Sequence, residues 1–295
     1  MVVTLMVLML LGSLIAGAEW AGQAVEGRAS EVSSSVALTP GRRGTLRVFA
    51  AASLSSVLPT LARHFEEQTG VSVVFNFAGS NTLAQQLSAA PEAADLFISA
   101  NERWMNYLAE RGRIDPSTRV TLWSNRLVLI GSRDGSGSGH RVTGVSARTR
   151  LCSPDGPRIS LANPEAVPAG IYAKGWLRNT PCGDSSAWER VRGRMIPALD
   201  VRAALSAVES HPALLGIVYR SDAKTSSKVR VLLEAEASRA PEIRYPAALI
   251  RGAEPQDSIG RRFLRSLRSE ESRRMLERHG FAPAVKRSRQ EKAKP

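Results

Sequence analysis

The first stretch with a clear hydrophobic pattern is LRVFAAASLSSVLPTLARHFEEQTG, from Leu46 to Gly70. A continuous apolar run at 48–52 is typical of a buried strand. From Leu54 onward the apolar residues recur every three or four positions, which indicates one face of a helix that Gly70 ends. The pattern predicts a strand that leads directly into a helix, with Ser53 at the junction. Capping is the ordinary role of such a serine, and binding an anion at the free amides is the alternative.

Two further junctions of this kind follow in the first half of the chain. The predicted strand at 71–77 is followed by Ser80 and a short amphipathic helix. The predicted strand at 95–99 ends in Ser99, which together with Glu102 has the spacing of a capping box. A capping box occupies the free amides of the first helical turn, so Ser99 is assigned a structural role. Ser80 has no such assignment and stays a candidate for binding.

The second half of the chain repeats the arrangement with other residue types. Residues 158–177 predict a strand, a proline-bounded loop and a helix that begins near Ala169. A later helix opens at Val201 with Asp200 as its N-cap, and a short strand ends at Tyr219. Ligands bind at the carboxyl ends of strands in open α/β sheets, so these positions are candidates for a binding site. A packing role is the alternative for Tyr219.

The candidate groups are all neutral hydrogen-bond donors: two serine hydroxyls, bare amides and a tyrosine hydroxyl. The four histidines have no metal-ligand spacing, and the sequence contains no H-E-x-x-H, C-x-x-C or P-loop motif. No G-x-S-x-G elbow surrounds Ser53 or Ser80, and no motif places a base beside either serine. The pattern therefore favours a non-enzymatic site that binds an anion unchanged, with a serine hydrolase as the enzymatic alternative.

The two ends of the chain have compositions typical of segments outside a folded domain. Residues 1–18 contain no charged residue and end in an A-x-A pattern, which predicts a signal peptide although no Lys or Arg precedes the apolar run. An uncleaved anchor is the alternative. Residues 19–44 are rich in Ser, Gly and Ala and predict a linker, and the basic residues 284–295 predict a disordered tail.

Length, charge and cysteine content narrow the class of protein. The 295 residues are 43% hydrophobic, which suits one large domain or two of ordinary size. The formal net charge is +13, but no long basic helix and no alternation of basic and aromatic residues accompanies it, so we expect no nucleic acid partner. The only cysteines are Cys152 and Cys182. In an exported chain they predict one disulfide, with two buried free thiols as the alternative.

Six segments now add a resemblance to a known family. In chain order they are VFAAASL, FAGSNTLAQQL, ADLFISANERWMNYL, NPEAVPAGIYAK, DVRAALSAVE and GIVYRSDA. They resemble the motif blocks of the periplasmic molybdate-binding proteins of bacterial ABC importers, over about residues 46–283. The resemblance implies an α/β, type II periplasmic-binding-protein fold with two lobes joined by crossing hinge strands. Lobe 1 is expected at 46–124 plus 252–283, and lobe 2 at 125–251.

The resemblance also implies a ligand and its contacts. Molybdate or tungstate would be bound without its water shell, as an oxyanion rather than by direct bonds to the metal, and no cofactor is implied. The expected partner is the membrane permease of an ABC transporter, and the protein is expected to be periplasmic and monomeric. The alternatives are a binding protein for another oxyanion such as sulfate, and a ligand-sensing domain of a transcription factor. The implied contacts are the hydroxyls of Ser53, Ser80 and Tyr219 and the backbone amides of Ala169 and Val201.

Overall fold

The computed structural model describes residues 44–134, 144–252 and 259–284. The predicted signal peptide at 1–18, nearly all of the predicted linker and all but the first residue of the predicted basic tail lie outside the described residues. Within the described ranges no helix combines the length and the apolar character needed to cross a bilayer.

The described strands form two large sheets and one small hairpin. The strands of the first sheet are β1 (Thr45–Ala51), β2 (Ser72–Ala78), β3 (Leu96–Ile98), β4 (Val120–Asn125), β12 (Ile243–Leu249) and β13 (Ala282–Pro283). Those of the second sheet are β5 (Leu127–Ser132), β6 (Ile159–Ala162), β9 (Met195–Ala198), β10 (Leu215–Tyr219) and β11 (Val229–Glu234). The hairpin pairs β7 (Pro181–Cys182) with β8 (Ser185–Ser186).

Helices connect most of these strands. They are α1 (Leu58–Thr69), α2 (Ser80–Ala89), α3 (Glu102–Glu110), α4 (Gly144–Cys152), α5 (Pro168–Arg178), α6 (Ala187–Val191), α7 (Val201–Ser210), α8 (Arg220–Lys224), α9 (Ile259–Ser266) and α10 (Glu270–Arg278). In the first sheet β1 lies parallel to β2 and β3, and in the second β6 lies parallel to β9 and β10. This alternation of parallel strands and helices confirms the predicted α/β class.

The chain crosses between the two sheets twice, as expected for two lobes joined by hinge strands. The first crossing is at Arg126, between β4 and β5, and the second lies between β11 and β12. The second crossing comes earlier than the predicted lobe boundary at 251, because β12 pairs antiparallel with β3 and β4 of the first sheet. The apolar run in β12 predicts a buried strand, but it carries no information about which sheet the strand joins, so the assignment of 243–251 to lobe 2 was wrong.

The pattern of the first helix predicts its buried face correctly but not its start. The side chains of Leu54, Leu58 and Phe65 are buried, and Gly70 ends the helix with a left-handed φ of 68°. However, the chain leaves β1 through a separate 3₁₀ turn, Ala52–Leu54, and α1 begins only at Leu58. Ser53 is therefore in the 3₁₀ turn and does not cap α1.

The structure contradicts the predicted capping box at Ser99 and confirms the predicted disulfide. Asn101, and not Ser99, caps α3, because the Oδ1 atom of Asn101 accepts a hydrogen bond from the amide of Trp104 at 3.2 Å. Ser99 instead bonds the backbone of Asn101 through its hydroxyl, so the predicted capping box was wrong. A disulfide does join Cys152 and Cys182, with Cα atoms 5.3 Å apart. It ties the end of α4 to the hairpin.

Candidate functional site

One small cavity lies where several strands end. The 3₁₀ turn after β1 and the first residues of α2, α5 and α7 all face it, and so does the last residue of β10. Each of these turns begins directly or a few residues after a strand, so the strand ends of both sheets converge there. The lining residues are Ala51, Ala52, Ser53, Ala78, Gly79, Ser80, Ala100, Val167, Pro168, Ala169, Asp200, Val201 and Tyr219.

The structure brings all five predicted site residues to this cavity, and it buries them. Their relative exposure is at most 3%. The cavity itself is small, about 10 Å³, which is roughly the space that holds the centre of one water-sized sphere. A space of this size excludes an extended organic acid. The five residues are Ser53, Ser80, Ala169, Val201 and Tyr219.

The Ser80 hydroxyl is set up as a donor by a backbone amide. Ala100 donates its N–H to the Oγ atom of Ser80 over 3.0 Å. That bond occupies a lone pair of the oxygen and leaves the hydroxyl proton available to the cavity. Ser80 is also the first residue of α2, so its own N–H has no partner inside the helix.

The Ser53 hydroxyl has a side-chain partner instead. Its Oγ atom lies 3.0 Å from the hydroxyl oxygen of Tyr245, a fully buried residue of β12. Tyr245 in turn receives a hydrogen bond from the Nδ2 atom of Asn125 at 3.3 Å. The sequence pattern marked neither Tyr245 nor Asn125, because a tyrosine in an apolar strand and an asparagine at a strand end have no local signature of a polar network.

The amide of Ala169 is presented by the start of α5. Pro168, at the first helical position, has no N–H, so Ala169 offers the first free amide of the turn. The next residue, Gly170, lets the helix approach β6 closely. A Cβ atom placed there would lie 2.1 Å from the carbonyl oxygen of Ala162, and any side chain would force the two apart.

The amide of Val201 is presented in a similar way by α7. The predicted N-cap is confirmed, since the Oδ1 atom of Asp200 accepts from the amides of Arg202 and Ala203 at 2.8 and 2.9 Å. The amide of Ala204 bonds the carbonyl of Asp200. Val201 comes before these residues and its N–H has no partner inside the helix. Although Asp200 lines the cavity, its carboxylate is engaged by the helix.

The hydroxyl of Tyr219 is buried and has no hydrogen-bond partner in the structure. Burial raises the pKa of Tyr219 well above its ordinary value of 10, so the hydroxyl stays protonated and remains a donor. A buried donor without an acceptor is costly. Its position on the cavity wall therefore points to a ligand that supplies the missing acceptor.

The cavity has no cationic side chain of its own. Its lining includes neither Lys nor Arg. The nearby Arg202 has its Nη1 atom 3.4 Å from the carboxylate of Asp222. Burial raises the pKa of Asp222 to about 7 despite this arginine. Among the residues that the structure describes, no group of three or more His, Cys, Asp or Glu side chains is placed to bind a metal ion. The donor set thus suits an anion held by neutral dipoles.

Comparison with known proteins agrees with this description of the fold. The family described as "Bacterial extracellular solute-binding protein" matches residues 46–282. The Molybdate-binding protein ModA of Escherichia coli is 37% identical over 81% of this chain and 89% of its own length, and that of Haemophilus influenzae is 35% identical over 80% and 89%.

Solved structures give the same result. The substrate-binding domain of a putative molybdenum ABC transporter from Clostridium difficile superposes with a TM-score of 0.61 and 29% identity, over 82% of this chain and 99% of that one. The periplasmic molybdate-binding protein of Azotobacter vinelandii superposes with a TM-score of 0.65 over 81% of this chain and 100% of its own, at 21% identity, which bears on the fold alone. The chain belongs to the family of bacterial extracellular solute-binding proteins.

Proposed function

We propose that this chain captures molybdate, and tungstate with it, and delivers the anion to the membrane permease of an ABC transporter. The observation that carries the proposal is the buried, unpartnered hydroxyl of Tyr219 on the wall of a cavity that also contains the neutral donors of Ser53, Ser80, Ala169 and Val201 and no cationic side chain. The named relatives and the Clostridium difficile domain support the choice of ligand. Binding and delivery of a solute is a non-enzymatic role.

The donor set favours a ligand that only accepts hydrogen bonds. Hydroxyls of Ser53, Ser80 and Tyr219 and amides of Ala169 and Val201 would surround it, and a tetrahedral dianion offers acceptor oxygens in every direction. A protonated anion such as hydrogen phosphate carries a donor of its own, and the carboxylate of Asp200 is already engaged by two amides. We therefore expect fully deprotonated oxyanions to bind better than protonated ones.

Size would separate molybdate from sulfate, which has the same charge and shape. Metal–oxygen bonds are longer than sulfur–oxygen bonds, so a cavity whose walls belong to two lobes closes to a width that suits one of the two anions. A smaller anion would leave donors on one wall unpaired, at a cost of about 1–3 kcal/mol for each. Two such donors would change the affinity by more than tenfold.

Calorimetric titration of the purified protein with molybdate, tungstate, sulfate and phosphate tests the proposal. We expect molybdate and tungstate to bind within about tenfold of each other, and sulfate and phosphate to bind at least about thirtyfold more weakly. Sulfate binding within tenfold of molybdate would overturn the ligand assignment and favour a sulfate carrier. Turnover of activated esters would instead support the hydrolase alternative.

The cellular setting is part of the same proposal. The family is extracytoplasmic, and we propose a periplasmic location with residues 1–18 as the signal peptide and a monomer as the working form. Residues 46–124 plus 252–283, extended by β12, would form one lobe, and the residues between the crossings the other. Cell fractionation with N-terminal sequencing of the mature chain tests the export, and sedimentation tests the monomer.

A further inference from the structure

We propose that Tyr245 is a positioning residue that makes the Ser53 hydroxyl a donor toward the bound anion. It does so as the middle member of a one-way chain of hydrogen bonds that begins at Asn125. The inference rests on the proposed function, because it assigns a role at the same site. Neither Tyr245 nor Asn125 lines the cavity, and both act through another residue.

The direction of the chain is set at Asn125. The Oδ1 atom of its side chain accepts a hydrogen bond from the amide of Arg126 at 2.9 Å. The amide nitrogen Nδ2 is thereby turned toward two hydroxyl oxygens, that of Ser221 at 2.8 Å and that of Tyr245 at 3.3 Å. An Nδ2 group can only donate, so both hydroxyl oxygens act as acceptors in these bonds.

Tyr245 is the next member of the chain and lies beside Ser53. The hydroxyl oxygen of Tyr245 lies 3.0 Å from the Oγ atom of Ser53, a geometry that admits either hydroxyl as the donor. Because the oxygen of Tyr245 has already accepted from Asn125, the donor role falls to Tyr245. Burial raises the pKa of Tyr245 far above its ordinary value, so its hydroxyl proton is always present. The Ser53 oxygen thus receives a bond and its own proton is left for the cavity.

The opposite direction is disfavoured on two grounds. If Ser53 donated to Tyr245, the buried proton of Tyr245 would lose the acceptor it has, and an unpaired buried donor is costly. The lone pairs of Ser53 would then face the anion and repel it. The hydroxyl oxygen of Ser80 also accepts a hydrogen bond, in this case from the backbone amide of Ala100. Both site serines are therefore oriented from behind by a donor.

The chain of hydrogen bonds lies at the junction between the two lobes. Asn125 is the last residue of β4, directly before the first crossing, and Tyr245 is in β12, directly after the second. Ser221, the other acceptor of the Asn125 amide, is in α8 beside the second sheet. The orientation of a donor on the first lobe is thus fixed where the two lobes are joined.

A double-mutant cycle separates positioning from simple packing. Tyr245→Phe removes only the hydroxyl and keeps the ring, which packs edge-to-face on Tyr219 and Phe281. Molybdate affinity is measured by calorimetry for the wild type, Y245F, S53A, and Y245F combined with S53A. Y245F is expected to weaken binding about tenfold in the wild-type background and less than twofold in the S53A background, because its effect passes through Ser53.

Ser80 supplies the matched control. Y245F combined with S80A is expected to show the full product of the two single losses, because Ser80 has its own donor. The inference is overturned if Y245F leaves the affinity unchanged, or if it causes the same fold loss with and without Ser53, as a general packing defect would. Failure of the wild type to bind molybdate would refute the proposed function instead, so the two failures are distinguishable.

Discussion

Replacing Tyr219 with phenylalanine is the most direct test of the site. The change removes one hydroxyl that is buried and has no partner. The ring remains, and its edge-to-face contact with Tyr245, at 6.1 Å between centroids, is kept. The perturbation is therefore confined to a single hydrogen-bond donor on the cavity wall.

The expected size of the effect follows from the charge of the ligand. A hydrogen bond to a charged group contributes about 1.5–3 kcal/mol, and a tenfold change in affinity corresponds to about 1.4 kcal/mol. Molybdate binding by Tyr219→Phe should be weaker by about ten- to a hundredfold. The unliganded protein should behave differently, because removing a buried donor that has no acceptor relieves a desolvation cost. Its free energy of unfolding should stay the same or rise by about 1 kcal/mol.

Calorimetry and thermal melts with and without molybdate measure both quantities. Tyr172→Phe is the matched control, since Tyr172 is a buried tyrosine of α5 that does not line the cavity; it should leave the affinity within twofold. An affinity of Tyr219→Phe within twofold of the wild type would show that Tyr219 only packs. A large loss of stability without ligand would show that its hydroxyl has a partner in solution.

Three further predictions concern the close approach of α5 to β6, the disulfide and the buried carboxyl group of Asp222. Gly170→Ala should weaken molybdate binding more than tenfold in calorimetry by displacing α5 from Ala162, whereas Gly193→Ala, where a Cβ atom meets nothing within 4 Å, should not. Replacing Cys152 and Cys182 with alanine should lower the free energy of unfolding in urea by about 2–4 kcal/mol and leave the affinity within twofold; an unchanged free energy would contradict this. Burial raises the pKa of Asp222 to about 7. Between pH 4 and 7 the carboxyl group is therefore protonated in the folded protein and ionised in the unfolded chain, so the free energy of unfolding falls as the pH rises through that range. Asp222→Asn should therefore gain stability relative to the wild type from pH 5 to pH 8 in urea melts, and an equal difference at both pH values would refute the assignment.

Most of the features that the sequence predicts correctly depend on residues close together in the chain. The buried face of α1 and its end at Gly70 follow from helical spacing, and the cap at Asp200 follows from one residue and its first turn. The positions of Ser53 and Ser80 follow from the rule that ligands bind at the ends of strands. Each of these needs only a short window of sequence.

Sequence reasoning missed the cap of α3 at Asn101 within a short window, but the larger features that it missed depend on residues far apart in the chain. β12 pairs with strands more than a hundred positions away, so its sheet could not be assigned from its own pattern. Tyr245 bonds Ser53 across 192 positions, and nothing near Tyr245 distinguishes it from a packed aromatic residue. The raised pKa of Asp222 is likewise a result of burial, which the sequence around it does not reveal.

Two of the five contacts in the proposed site are backbone amides, so the residues that begin the helices matter there as much as the side chains. A side-chain substitution at Ala169 or Val201 leaves the amide in place, so replacing these side chains would remove neither of the proposed contacts. Whether these amides are free to donate depends on the residue at the start of each helix. Pro168 has no donor to compete with Ala169, and Asp200 occupies the amides that follow Val201. Displacing a helix start should therefore weaken binding where changing the contacting residue does not.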